Sequence, residues 1–269
     1  MNSLITSAVS FLSMFMIGCG GNSNNLYKSM NLADATLIKV KKASETLENN
    51  DITEVIALQS INSDILRYSS VKNKNKYKCE AGSVDVDKKK GFFVLNYNDC
   101  HLQNHALNGK IKIIVNNCEN CNICLSKKYT FLSDFRFDKT VYKKNSTIDL
   151  VNDLNENCDI TFVNIKENIA FYKNKNRYYL NNAEVKTYVN DMNLKWAYDG
   201  GRVVFEDNTY AIISETKEDF TEKSGELLKF ENRFLFNNSN ALVTFHKRKL
   251  SLLIDDNNDG KYDRNETIN

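Results

Sequence analysis

The spacing of hydrophobic positions along this chain changes period once. From about Met30 to Arg67 the apolar positions Ala33, Leu37, Val40, Ala43 and Leu47 recur every three or four residues, which predicts an amphipathic helix. Asn49-Asn50 breaks that run. Asp51-Ile52-Thr53-Glu54 then reads as a capping box, with Asp51 as N-cap and Glu54 reaching back to it. It opens a second helix from Ile52 to Ile61 or beyond. Residues 71–78 read as a basic, polar linker.

Beyond the linker the period becomes two. Val84 and Val86 alternate with Ser83, Asp85 and Asp87. Tyr129, Phe131, Phe135 and Phe137 alternate with polar residues, as do Leu194, Trp196 and Tyr198, and Val243 with Phe245. Turn signals fall between these runs: Lys88-Lys89-Lys90-Gly91, Asn108-Gly109, Asn174-Lys175-Asn176, Asp199-Gly200-Gly201, Ser224-Gly225 and Asn237-Asn238-Ser239-Asn240. Roughly ten to twelve short strands follow one another with no helix between them, and parallel pairing needs such crossovers. The predicted fold class is therefore mainly β (α+β). A short N-terminal helical segment, residues 30–70, precedes an antiparallel β meander over 76–269 that forms a curved sheet, sandwich or partial barrel.

Composition sets the limits of this picture. The hydrophobic fraction of 42% and the 15 Phe, 13 Tyr and 1 Trp are enough for one sizeable core. The net charge is +2, from 36 basic and 34 acidic residues, so electrostatics gives no reason to expect a nucleic-acid partner. The chain contains no proline, which removes one common loop marker.

The first residues carry a different signal. Met1 to Tyr27 contain no charged side chain, and Leu4 to Ile17 form an apolar run of signal-peptide length, short for a span of about 20 residues. The run ends in Met16-Ile17-Gly18-Cys19, which resembles the lipobox of bacterial lipoproteins. The resemblance implies a signal peptide over 1–18, lipidation of Cys19, and a flexible tether over 19–29 that begins Gly20-Gly21-Asn22-Ser23-Asn24-Asn25. It places the domain in the cell envelope, held on a membrane by its lipid. Gly20 stands where an Asp would signal inner-membrane retention, so the outer membrane is expected, with the domain facing the periplasm or the surface.

With Cys19 set apart, six cysteines remain: Cys79, Cys100, Cys118, Cys121, Cys124 and Cys158. An even number in an exported chain reads as disulfides. Cys79 and Cys100 bracket one predicted hairpin and are expected to pair. Three readings stay open for the other four. They are two disulfides, one of which ties Cys158 to the cluster; a thiolate metal site with His101 and His105 as extra ligands; or a redox-active pair.

The C-terminal stretch from Asp255 to Glu266 resembles the calcium loop of the EF-hand. The resemblance implies oxygen ligands from Asp255, Asn257, Asp259, Asp263 and Glu266, the carbonyl of Lys261, and a sharp turn at Gly260. Leu250 to Ile254 reads as a strand, and only Thr267, Ile268 and Asn269 follow the loop. The flanking helices of a calcium sensor are thus missing, and a structural calcium ion is expected.

No nucleophile elbow, phosphate-binding glycine loop or zinc-protease helix occurs, and the chain is read as no enzyme. Two functional readings follow. One is an envelope module that presents a surface to a protein or glycan partner. The other is a LolB-like carrier of a lipid or other apolar ligand, and it requires an open, apolar inner face on the curved sheet.

Overall fold

A computed structural model describes residues 31–72, 74–118, 124–154, 160–190, 193–221, 226–246 and 249–268. Two helices come first, α1 (Leu37–Asn49) and α2 (Ile52–Lys72). Sixteen strands follow: β1 (Lys76–Lys78), β2 (Ala81–Lys89), β3 (Phe92–Leu102), β4 (His105–Cys118), β5 (Cys124–Phe131), β6 (Phe135–Phe137), β7 (Thr140–Tyr142), β8 (Thr147–Leu154), β9 (Ile160–Lys173), β10 (Asn176–Asn190), β11 (Asn193–Val204), β12 (Tyr210–Thr221), β13 (Glu226–Leu235), β14 (Asn240–His246), β15 (Lys249–Asp255) and β16 (Arg264–Ile268).

α1 starts where Thr36, in an extended conformation, accepts a hydrogen bond from the Lys39 amide through its hydroxyl at 3.2 Å. α2 starts at Asp51, whose carboxylate accepts from the Thr53 amide at 3.0 Å. Only half of the predicted capping box forms. Glu54 turns away from Asp51 and meets Lys173 on β9 at 3.4 Å. The predicted linker is also shorter than expected, because Val71 and Lys72 extend α2 and Lys76–Lys78 pair with β2 as β1.

All sixteen strands belong to one antiparallel sheet, and the expected meander is observed. β5 with β6, and β7 with β8, are two halves of one interrupted hairpin. β5 and β6 pair with β4, and β7 and β8 pair with β9. Around the interruption, Phe131 and Ser146 still exchange a backbone bond at 3.0 Å.

That interruption belongs to a line of irregularities crossing the sheet. Register breaks lie between Tyr97 and Cys100, Leu180 and Ala183, Asn181 and Glu184, and Ile213 and Glu215. Two predicted turns are part of this line. Gly109 lies inside β4 at φ 119°, where a Cβ would meet the Asp134 carbonyl oxygen at 2.6 Å. Gly201 lies inside β11 at φ 107°, where a Cβ would meet the Ala183 Cα at 2.4 Å. A glycine-type bulge and a type I′ or II′ turn both place a residue at positive φ, so the same dipeptides serve either one. The two helices together touch strands from β1 to β14 on one side, so the sheet curls around them.

The helices lie on the concave side. α1 contacts β10, β11, β13 and β14, and Val40, Ala43 and Leu47 are fully buried there. α2 buries Ile52, Val55, Leu58, Ile61 and Ile65 along one face. These residues and the inner sheet residues, including Leu95, Ile111, Phe131, Phe171, Tyr198 and Phe234, form one continuous core.

Candidate functional site

The acidic loop connects β15 to β16 as a hairpin, with Ile254 opposite Arg264. Asp255 is almost fully buried at the loop's start. Its carboxylate accepts from the amides of Asn257 (3.3 Å), Asp259 (3.2 Å) and Gly260 (2.9 Å) and from the Asn240 side chain (2.9 Å). Burial opposes ionisation, but these donors outweigh it and hold the carboxyl below its ordinary range. Asp259 accepts from the Lys261 amide at 2.9 Å, and Asp263 from the Asp256 amide at 2.9 Å. The structure thus gathers Asp255, Asn257, Asp259, Lys261 and Asp263 in one short loop. Glu266 lies apart on β16, opposite Leu252 of β15, because the exiting element is a strand. Among the described residues, no three His, Cys, Asp or Glu side chains converge closely enough to hold a metal ion.

The loop also sits beside the entry of the chain into the domain. Arg264 pairs with Asp256 and donates to the Ala35 carbonyl at 3.3 Å. Ala35 in turn donates its amide to the Ser239 hydroxyl at 3.0 Å, and Leu32 bridges to Tyr210 at the start of β12.

Glu167 and Lys127, two buried side chains of opposite charge type, face the helices from the sheet. Glu167 on β9 is fully buried and accepts from the Asn50 side chain at 2.5 Å. Burial pushes its carboxyl up to about 7, against the Asn50 bond. Lys127 on β5 is 6% exposed and donates to the Ser63 hydroxyl of α2 at 2.6 Å. Burial lowers its amine to about 8. Nearby, Tyr97 donates to Asn62 at 2.7 Å and Gln59 to Asn152 at 2.8 Å. A sequence signal existed only in the polar residues Gln59, Asn62 and Ser63 on the sheet-facing side of α2.

The outer sheet face carries a row of alternating charge. Lys128, Asp149, Lys166 and Glu184 are successive cross-strand partners on β5, β8, β9 and β10. Lys128 and Asp149 approach to 3.0 Å, and Lys166 and Glu184 to 2.7 Å; Lys186 pairs with Asp199. Exposed pairs of this kind stabilise a fold by only about 0–1 kcal/mol each. Asp149, Lys166 and Glu184 line a shallow depression of about 280 Å³ together with Val151 and Asn164. Val151 is 44% exposed at that place.

The expected Cys79–Cys100 disulfide is present, with Cα atoms 5.5 Å apart. Cys118 ends β4 directly opposite Cys124, which begins β5. Cys19, Cys121 and Cys158 lie outside the described residues. The histidines are not where a shared metal site needs them. His105 begins β4 while Cys118 ends it, and His105 is bonded to Asp138 at 2.7 Å. His101 pairs with Ala106 at that same far end. Among the described residues, no helix is long and apolar enough to cross a membrane. Comparison with protein-family models, curated proteins and solved structures finds no match.

Proposed function

We propose that this chain is a lipid-anchored cell-envelope protein, held on the outer membrane through Cys19, whose β domain is an interaction module for a protein or glycan partner. The observation that carries this reading is the filled concave face. A carrier needs a preformed apolar concavity for its cargo. Here α1 and α2 occupy that side of the sheet, and their buried residues join one core with it. The surface left for a partner is the outer face, with its row from Lys128 to Glu184 and the depression beneath it. The loop at Asp255, Asn257, Asp259, Lys261 and Asp263 supplies oxygen donors of the kind calcium prefers, and a structural ion there would brace the hairpin against the chain's entry point.

Native mass spectrometry of the purified domain tests the module reading against the carrier. A ligand-free mass is expected, and co-purified lipid would move the reading to a carrier. Labelling cells with an alkyne fatty acid tests the anchor. The full chain should take the label and Cys19→Ala should lose it; equal labelling of both would sink the anchor.

A further inference from the structure

We propose that the corner of the outer sheet face around Arg136, Tyr172 and Arg177 binds an acidic polysaccharide. The inference rests on the interaction-module reading and names the chemistry of its partner. β7 pairs with β9, so the β6–β7 turn and the β9–β10 turn are neighbours at one end of the sheet. Arg136, Val141, Tyr172 and Arg177 are successive cross-strand partners on β6, β7, β9 and β10. Directly opposed residues share a face, and strands lie about 4.8 Å apart, so the row is about 14 Å long. Phe135, Phe137, Tyr142, Phe171 and Tyr178 alternate with the row and are buried, so the row itself faces outward.

The corner holds cations that nothing neutralises. Arg136, Lys139, Lys143, Lys144, Lys175 and Arg177 lie on these strands or in the adjoining turns. The carboxylates beside them are already engaged: Asp134 with Lys143, Asp99 with Arg136 and Asp138 with His105. Among the described residues, Lys139, Lys144, Lys175 and Arg177 are exposed and have no carboxylate partner. Six cations against three carboxylates leave the corner at +3, more than the +2 of the whole chain. Aromatic rings hold two of the cations in place. The Arg177 guanidinium lies 4.5 Å from the Tyr179 ring centre and 5.7 Å from that of Tyr172, and the Lys143 ammonium lies 5.3 Å from Tyr172. Cations fixed in this way lose less freedom on binding.

A charged sugar chain suits both features. Its carboxylates accept from the guanidinium fork and the ammonium groups, and the C–H faces of its rings pack against tyrosine. An anionic membrane would meet the same charge, but a surface that inserts into a bilayer needs protruding apolar side chains. Among the described residues these are Ile38, Val71, Val151, Leu235 and Tyr262, and none belongs to these strands or turns.

Binding of polygalacturonate is measured by calorimetry on the purified full chain carrying Cys19→Ala, so that no lipid anchor contributes. Methyl-esterified polygalacturonate, polyglutamate and phosphatidylglycerol vesicles are the comparisons. Polygalacturonate should bind, more weakly as salt rises, and the uncharged ester should not bind. Arg177→Glu, and separately Lys139→Glu with Lys175→Glu, should weaken binding by about tenfold or more. Tyr172→Leu should weaken it severalfold. Lys90→Glu, the same charge change in the β2–β3 turn, should leave it unchanged. Thermal melts check that each variant is folded, and the Lys139 and Lys175 pair lies in exposed turns, so it tests the site even where Arg177→Glu unfolds. No binding, or binding that these changes leave intact, would overturn the proposal. Equal binding of polyglutamate would point to an acidic protein, and tighter binding of vesicles to a membrane; either result refutes the glycan. Co-purified lipid in native mass spectrometry is a separate outcome, and it counts against the module reading itself.

Discussion

Asn50, the residue that ends the first helix, donates its side-chain amide both to the buried Glu167 carboxylate at 2.5 Å and to the Tyr198 hydroxyl at 2.9 Å. One polar side chain thus ties the turn between the helices to β9 and β11. Glu167 has an ordinary value of 4.5 that burial raises to about 7. The folded state therefore binds the proton more tightly than the unfolded chain. Its contribution is fully present below about pH 4.5 and is lost as pH rises through 7, a change of roughly 3 kcal/mol. Thermal midpoints should fall between pH 5 and pH 8 in wild type and fall less in Glu167→Gln. Some slope should persist in the variant, because burial also raises Glu54. Equal slopes in both proteins would refute the assignment.

Lys127 gives a window of opposite sign. Its amine is lowered from 10.5 to about 8, so charging it costs the folded state at neutral pH. That cost is relieved as pH rises from about 8 to about 10.5. Lys127→Met keeps the length of the side chain, removes the charge and loses the bond to Ser63. Its melting temperature should exceed that of wild type at pH 7, and the advantage should shrink at pH 10. A variant less stable than wild type at pH 7 would mean that the Ser63 bond outweighs the desolvation.

The Cys79–Cys100 bond closes a sequence separation of 21 residues. Loop-closure entropy for a loop of that size corresponds to about 3 kcal/mol. Cys79→Ser with Cys100→Ser should lower the unfolding free energy by about that amount in chemical denaturation. A change below about 1 kcal/mol would show that the unfolded chain is not constrained by this link.

The line of register breaks predicts a contrast between two glycines. Gly201→Ala must fit a Cβ 2.4 Å from the Ala183 Cα at φ 107°, so it should cost more than about 2 kcal/mol. Gly91→Ala has φ 84° with no atom within 4 Å, so it should cost only about 1 kcal/mol. Urea denaturation of both variants checks the order, and equal costs would remove the argument for close packing at that line.

The acidic loop separates two roles for its carboxylates. Asp255 accepts three backbone amides of its own loop, so Asp255→Ala should lower the melting temperature even in chelator. Asp259 is exposed and accepts only one backbone amide, that of Lys261, beside a longer bond from the Asn257 side chain at 3.3 Å. Asp259→Ala should leave the chelated protein close to wild type and remove the rise in melting temperature on adding calcium. No rise in wild type would refute the structural-ion reading.

The strands were readable because alternation survives in Val84 and Val86, Phe135 and Phe137, and Trp196 and Tyr198, all of which face the core. The helix starts were readable in part. Asp51 caps as expected, but Glu54 does not reach back, because Lys173 and the Thr140 region of β7 offer a better-shielded partner. Glycines marked where the backbone departs from a regular strand but not how. Asn108-Gly109 and Asp199-Gly200-Gly201 stand for bulges, and only the neighbouring strands decide between a bulge and a turn.

The sequence by itself determined the local features: the helical and alternating periods, the antiparallel meander, the Cys79–Cys100 pair and the acidic loop that begins at Asp255. Each of these depends on residues close in the chain or joined by one hairpin. The tertiary structure decided what curling brings together. It set Glu167 against Asn50 and Lys127 against Ser63, aligned Lys128, Asp149, Lys166 and Glu184 across four strands, and carried Glu266 away from the loop. Those relationships depend on register and on the bend of the whole sheet. Both arise from long-range pairing, which no stretch of sequence a few residues long encodes.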